Sequence, residues 1–213
     1  MNTDFNMKNY DELTKREKLQ NLFDISFAKA DENLLRIHYQ SLRNLEFKSD
    51  FIFVSDTFDI SRLVENITNA CDIFCTDYNK NFIFCGDEKC IIKGNQRLIT
   101  KAVLNLLSNA FIYGRGSLIT TKTFSKNGFV HIEIQSGGSL SHEFKFKKGL
   151  SFIKRVCECH NGYFFIKTSN LCTSAIMLIP ELRVYKEKLS TPDTLDFLTD
   201  RLSPFYVEFF GQK

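Results

Sequence analysis

The fold of this chain is decided by the stretch Leu98-Ile99-Thr100-Lys101-Ala102-Val103-Leu104-Asn105-Leu106-Leu107-Ser108-Asn109-Ala110. Its apolar residues recur at steps of three and four, which is the period of one helical face. The same spacing runs from Asn95 to Tyr113, and Gly114 is a typical helix end. Asn105 and Asn109 are four positions apart, so a helix places their carboxamides on one face, one turn apart.

A second helix is predicted downstream, over Gly149 to Cys159. The tripeptide His160-Asn161-Gly162 ends it with residues that favour turns. A loop containing Gly137 and Gly138 precedes this helix. Two glycine-bearing segments therefore flank the entry to the second helix.

Strand-forming segments occur in pairs around the two helices. Three hairpins are predicted: 81–85 with 88–93 about Gly86-Asp87, 118–124 with 129–135 about Lys126-Asn127-Gly128, and 163–168 with 174–179. Helices and hairpins alternate without a regular βαβ repeat. This order predicts an α+β fold, a two-layer sandwich with one mixed sheet and its helices on one face.

The flanks divide the chain into three predicted regions: residues 1–50 as a helical arm, 51–180 as the sandwich, and 181–213 as a C-terminal extension. Apolar residues at helical spacing from Leu19 to Leu45 predict the arm. Residues 51–54 are predicted to form a strand that ends at Ser55-Asp56, and Asp59 or Ser61 then caps a helix. In the extension, Thr191 is the predicted N-cap of a final helix with Pro192 in its first turn.

Composition excludes several classes of function. The 213 residues carry 28 basic and 25 acidic side chains, a formal net charge of +3, so a nucleic-acid partner is not expected. No apolar run reaches the roughly 20 residues of a membrane span, and the start lacks the pattern of an export signal, so a cytoplasmic location is expected. Seven cysteines in such a chain favour reduced thiols. Cys157 and Cys159 point about 200° apart on a helix, which argues against a shared zinc ion.

The asparagine helix, the glycine segments and the final strand, which ends at Pro180, together resemble the ATP-binding catalytic domain of sensor histidine kinases, of the GHKL ATPase superfamily. The resemblance covers about residues 58 to 180. It implies an ATP and Mg²⁺ site in which Asn109 holds the metal and phosphate oxygens and Asn105 lies near the reacting end. It also implies contacts with nucleotide from the two glycine segments, at Ser136, Gly137, Gly138, Lys147, Gly149 and Leu150.

The sequence departs from the family pattern at three places: the first glycine box, the segment between the two boxes, and the end of the asparagine helix. Ser136 stands where the family has the aspartate that accepts a hydrogen bond from adenine, and Lys147 replaces a glycine. The segment between the glycine boxes is short, from 141 to 148, and Ile112 replaces a basic residue. Each departure removes an anchor of the nucleotide, so the resemblance predicts a weakened or lost ATP site.

The resemblance also implies a phosphorylated histidine and a signalling partner. His38 is the histidine of the helical arm, but the acidic residue and proline that follow such a histidine in the family are absent, so a helix-face histidine without catalytic duty is the simpler interpretation. The sequence predicts a histidine-kinase-like two-component signalling protein, a homodimer through residues of about 10 to 47, with a response regulator as partner. If active, it would transfer the ATP γ-phosphoryl group to histidine; the alternative is a non-catalytic scaffold or a phosphorelay module that uses His38.

Overall fold

The computed structural model describes residues 32–48, 55–75, 78–86, 89–138, 148–183, 189–201 and 203–210. The chain forms two compact units, a smaller one of residues 1–50 with 201–213 and a larger one of residues 51–200. The three predicted regions stay a prediction, and the predicted strand at 51–54 lies outside the described residues.

A five-stranded mixed sheet organises the larger unit, in the order β2-β4-β5-β7-β6. Its strands are β2 (Asn81–Phe84), β4 (Leu118–Lys126), β5 (Phe129–Gly137), β6 (Tyr163–Thr168) and β7 (Cys172–Pro180). β2 is parallel to β4, and all other neighbours are antiparallel. A separate two-stranded sheet pairs β1 (Asp56–Asp59) with β3 (Ile91–Gly94).

Three helices of the larger unit contact the large sheet: α2 (Ile60–Phe74), α3 (Gln96–Tyr113) and α4 (Lys148–Cys159). The sheet residues on the alternate positions Ile119, Val130, Ile132 and Ile134 are buried, as a helix-covered face requires. The predicted α+β sandwich with a mixed sheet and helices on one face is therefore confirmed.

Local capping residues start the first two of these helices. Asp59 precedes α2, and its carboxylate accepts hydrogen bonds from the backbone N–H groups of Ser61 and Arg62. Asn95 caps α3 by accepting from the N–H of Leu98 at 3.0 Å. Of the two predicted caps for the first helix, Asp59 is thus the one used.

Turn residues also act as predicted. The hairpin of β4 and β5 turns at Asn127 and Gly128, whose φ angles are 54° and 78°, the positive values that a tight turn needs. Asn161, with φ 54°, follows the end of α4. On that helix Cys157 is buried and Cys159 is exposed, so the two thiols do point apart.

Three local predictions were wrong. Residues 81–85 and 88–93 do not form a hairpin, because β2 pairs with β4 and β3 pairs with β1. Asp56 does not end a strand but begins β1. The N-cap of α5 (Thr194–Thr199) is Asp193 rather than Thr191, because Asp193 and Asp196 form a reciprocal capping box.

The smaller unit is described through α1 (Glu32–Lys48) and α6 (Pro204–Phe210), which pack against each other. Tyr39 is buried and stacks on Tyr206 and Phe210, with ring centroids 6.4 and 5.3 Å away. Its hydroxyl donates to the carbonyl of Arg201 at 3.0 Å. The apolar C-terminal residues therefore pack as a helix on the arm.

Among the described helices, none combines the length and the apolar character that crossing a bilayer requires.

Candidate functional site

A cavity of about 100 Å³ opens where the end of α3 meets β5, β6, β7 and the start of α4. Its apolar wall comes from α3, α4 and the sheet: Leu106, Ala110, Leu150, Ile134, Ile166 and Ala175. Its polar wall consists of Asn109, Tyr113, Gly114, Arg115, Ser136, Gly137, Gly138 and Thr173. An apolar slot with a few polar groups at one side is the usual form of a small-molecule site.

Two hydroxyl groups of the cavity wall come from neighbouring strands. Ser136 of β5 is paired with Thr173 of β7, and Ser136 lies two residues after Ile134, on the same side of the strand. Thr173 Oγ1 donates to the carbonyl of Gly138 at 3.0 Å. Ser136 therefore does occupy the cavity wall where the resemblance implies an aspartate. None of the described residues that line the cavity carries a carboxylate.

The two asparagines of α3 do not play equivalent parts. Asn109 lines the cavity, whereas Asn105 lies beneath it and has no exposed surface. Asn109 Nδ2 donates to Asn105 Oδ1 at 3.1 Å. The Asn105 carboxamide is therefore a buried partner of Asn109 rather than part of the cavity wall.

The reason for this burial is the position of Gly149 in the first turn of α4. A Cβ on Gly149 would lie 2.5 Å from Asn105 Oδ1 and 3.0 Å from its Nδ2, so the glycine backbone rests directly on the carboxamide. Only a residue without a side chain allows this approach. Gly149 thus closes Asn105 in, while its neighbour Leu150 contributes to the cavity wall.

The Gly137-Gly138 segment uses its backbone groups inside the fold. The N–H of Gly138 donates to the carbonyl of Leu171 at 2.8 Å, and the carbonyl of Gly137 accepts from the N–H of Arg115 at 2.9 Å. Gly138 has φ 91°, and the Arg115 side chain lies over its Cα face. The N–H of Gly138 is therefore already used within the fold and is not available to a ligand in the cavity.

Lys80 is a residue that the sequence did not single out. Its ammonium group donates to the carbonyls of Gly114 and Gly116, each at 2.7 Å, and so holds the segment after α3 that carries Arg115. Burial lowers the pKa of Lys80. Tyr113, Arg115 and Thr173 were missed as well. Of these three, only Thr173 had a sequence signal, because it begins the final strand that resembles the family.

The structure brings five of the predicted site residues together around one cavity: Asn109, Ser136, Gly137, Gly138 and Leu150. Asn105 and Gly149 contact each other behind its wall. Lys147 lies outside the described residues. His38 is on α1 of the smaller unit, where it is 8% exposed.

These residues do not fit Mg²⁺ and ATP in the arrangement described. A nucleotide ligand needs a pocket of roughly 300 to 1,000 Å³. This is several times the volume of about 100 Å³ among the described residues. A hard cation prefers several oxygen ligands, and the described residues of the cavity wall offer the carboxamide of Asn109 with no carboxylate beside it.

The sequence matches no protein-family model and no curated protein. Its fold is that of solved histidine kinase catalytic domains. The ATP-binding domain of PrrB from Mycobacterium tuberculosis is 22% identical, with a TM-score of 0.52 over 60% of this chain and 98% of that one.

Longer kinases match over more of this chain. Full-length ShkA in complex with AMPPNP is 12% identical with a TM-score of 0.63, over 84% of this chain and 46% of that one. Histidine kinase ThkA in complex with the response regulator TrrA is 18% identical with a TM-score of 0.60, over 75% and 51%. The chain thus spans about half the length of these two kinases.

Proposed function

We propose that this chain is a histidine-kinase-like component of two-component signalling whose ATP-type domain acts as a scaffold rather than as an autokinase. The fold supports the first part, because the solved structures that it resembles are histidine kinases, one of them bound to AMPPNP and another to a response regulator. The cavity supports the second part.

One observation carries the proposal. The cavity lies where the resemblance implies a nucleotide, but the groups that would bind the nucleotide are either replaced or already hydrogen-bonded within the fold. Ser136 replaces an acceptor that would be charged, and a hydrogen bond to a charged group contributes about 1.5–3 kcal/mol against about 1 kcal/mol for a neutral one. Asn105 Oδ1 and the N–H of Gly138 are already engaged within the fold. Losses of this size at three anchors lower affinity by orders of magnitude.

As partners we propose a response regulator or another signalling protein, and a second copy of the chain bound through the N-terminal helices. No nucleic acid is expected, given 28 basic against 25 acidic residues. A cytoplasmic location follows from the same proposal. Transfer of a phosphoryl group to His38 is disfavoured, because the residue is only 8% exposed and an attacking nitrogen must reach its donor.

The kinase interpretation keeps one observation in its favour, the shared cavity of Asn109, Gly137, Gly138 and Leu150. In that case Asn109 would hold Mg²⁺ and Asn105 would lie near the reacting end, after a rearrangement that frees its carboxamide.

A thermal melt with a non-hydrolysable ATP analogue separates the two interpretations. A ligand at a hundred times its dissociation constant adds about 2.7 kcal/mol of stability. We expect the wild type to show no shift at millimolar analogue with Mg²⁺. A Mg²⁺-dependent shift that Asn109→Asp abolishes would overturn the scaffold proposal in favour of the kinase.

A matched substitution tests the missing carboxylate. Ser136→Asp should raise affinity for the adenine analogue about tenfold or more, since one charged hydrogen bond is regained. Ser136→Asn, of similar size but neutral, serves as its control. Equal responses of the two variants would show that charge at position 136 is not what limits binding.

A further inference from the structure

The outer face of the large sheet, opposite its helices, carries a row of three aromatic side chains and one leucine that crosses four strands. The strand registers place Phe124 opposite His131, His131 opposite Leu178, and Leu178 opposite Tyr163, so that one side chain from each of four strands lines up across the sheet. Phe124 and His131 stack with ring centroids 4.6 Å apart. We call these four residues the outer row.

The outer row continues into its neighbours. Phe129 lies 5.9 Å from Tyr163 between ring centroids, and Tyr163 itself is 62% exposed. The ring of Phe165 follows on the next outward position of β6. An aromatic cluster that keeps an exposed tyrosine is the composition enriched at the centres of protein interfaces.

Positive charge surrounds this cluster. The outward positions of β4, β5, β6 and β7, all of them described, carry three lysines, Lys122, Lys126 and Lys167, against the single carboxylate of Glu133. Lys167 Nζ lies 5.5 Å from the centre of the Phe165 ring. Burial, with Lys126 and Lys167 nearby, lowers the pKa of His131. The neutral form of the imidazole in the outer row is therefore favoured, and the charged side chains lie in the rows on either side of it.

We propose that this face docks a protein partner whose contact surface has an apolar centre and an acidic margin. Complementary charge selects such a partner and speeds the encounter. Four strands about 4.8 Å apart and up to nine residues of about 3.3 Å each give a face on the order of 500 Å², which suits a transient signalling contact rather than a permanent one. The proposal does not depend on whether the cavity binds nucleotide.

Two other occupants fit less well. A second copy of the chain would meet this face with the same three lysines, and like charges across a symmetric contact are repulsive. A membrane surface would need side chains that reach into the lipid, whereas the rings of Phe124 and His131 are stacked on each other.

The test is site-specific crosslinking in the cells from which the chain comes. The photoreactive residue p-benzoylphenylalanine replaces Tyr163 in the full chain, and Leu195, 65% exposed on α5, is the matched control position. We expect one adduct from position 163, identified by mass spectrometry, and none from position 195.

Charge reversal then ties the adduct to this surface. Lys167→Glu should lower its yield about tenfold, while Lys154→Glu on α4, whose side chain is 67% exposed, should leave it unchanged. Reversing an acidic residue of the identified partner should restore the yield with Lys167→Glu. Unchanged melting temperatures of both variants verify that each is folded.

Each other outcome overturns the proposal. No adduct at position 163, or an adduct unaffected by Lys167→Glu, shows that the face does not dock an acidic partner. An adduct between two copies assigns the face to self-association. Co-sedimentation with phosphatidylserine vesicles that requires Lys167, without a protein adduct, assigns it to the membrane.

Discussion

Asn109 donates a hydrogen bond through Nδ2 to Oδ1 of Asn105 at 3.1 Å, and the acceptor is completely buried. This pair joins the cavity wall to the core behind it. Two carboxamides at helical spacing, which the resemblance assigns to one ligand, are in this chain donor and acceptor to each other.

Asn105→Ala should therefore destabilise the protein more than Asn109→Ala. The first substitution leaves a cavity in the core and frees the amide of Asn109, at a cost of about 1–3 kcal/mol in the free energy of unfolding. The second removes a half-buried group of the cavity wall, and the space it leaves joins the cavity, so that water can then reach Asn105 Oδ1; this should cost about 1 kcal/mol or less. Urea denaturation of both variants measures the difference, and equal losses would contradict the structural part assigned to Asn105.

Gly149→Ala should destabilise the fold through a direct clash with Asn105. Its Cβ would lie 2.5 Å from Asn105 Oδ1, and relief of such overpacking in a core costs about 1–3 kcal/mol. In the double variant with Asn105→Ala the carboxamide is absent and the new Cβ meets no clash. Gly149→Ala should therefore cost much less stability in that background than in the wild type. A double-mutant cycle by urea denaturation gives this coupling.

Gly116→Ala is the control for that cycle, because its Cβ would meet the Cα of Gly137 at an ordinary 3.4 Å. Additive effects of Gly149→Ala and Asn105→Ala would show that the two residues are not in contact.

Lys80→Met should loosen the cavity rim, because two carbonyls, those of Gly114 and Gly116, lose their shared donor. The ammonium is partly exposed, so the expected loss of stability is only on the order of 1 kcal/mol. Hydrogen exchange is the sharper measurement: we expect faster exchange in the segment 114–117 than in the wild type. Unchanged exchange there would mean that Lys80 does not hold the rim.

We expect the free energy of unfolding to fall at acidic pH because of His160. Its Nε2 accepts from the N–H of Asn95 at 2.9 Å, and its Nδ1 lies 2.7 Å from the carbonyl of Val156, which together require the neutral ring. Burial lowers the pKa of His160. The unfolded chain, with an imidazole pKa of about 6.5, then binds the proton more readily than the folded one.

The contribution of His160 is therefore complete above about pH 6.5 and is lost as the pH falls toward the lowered pKa of the folded state. Unfolding measured by denaturant from pH 5 to 8 should show less pH dependence in His160→Gln than in the wild type. His131→Gln controls for the other described histidine with a lowered pKa. A wild-type profile that His160→Gln leaves unchanged would rule out this role.

Features encoded within a few residues could be predicted from the sequence. The helix from Gln96 to Tyr113 follows from its apolar period and its Asn95 cap, and the hairpin of β4 and β5 from the dipeptide Asn127-Gly128. Strand pairing over a longer distance could not be. Residues 81–85 and 88–93 carry a turn signal between them, yet hydrogen bonding to distant strands outweighs it, because register depends on which faces become buried.

The same limit applies to the candidate site. The sequence by itself determined that two asparagines share a helix face, that glycines precede the second helix, and that Ser136 brings no carboxylate. Only the tertiary structure decided that Gly149 closes over Asn105, that Lys80 holds the cavity rim, and that side chains from four strands form one row outside the sheet. Helix period and turn chemistry act between near neighbours in the chain, whereas burial and cross-strand contact depend on residues that only folding brings together.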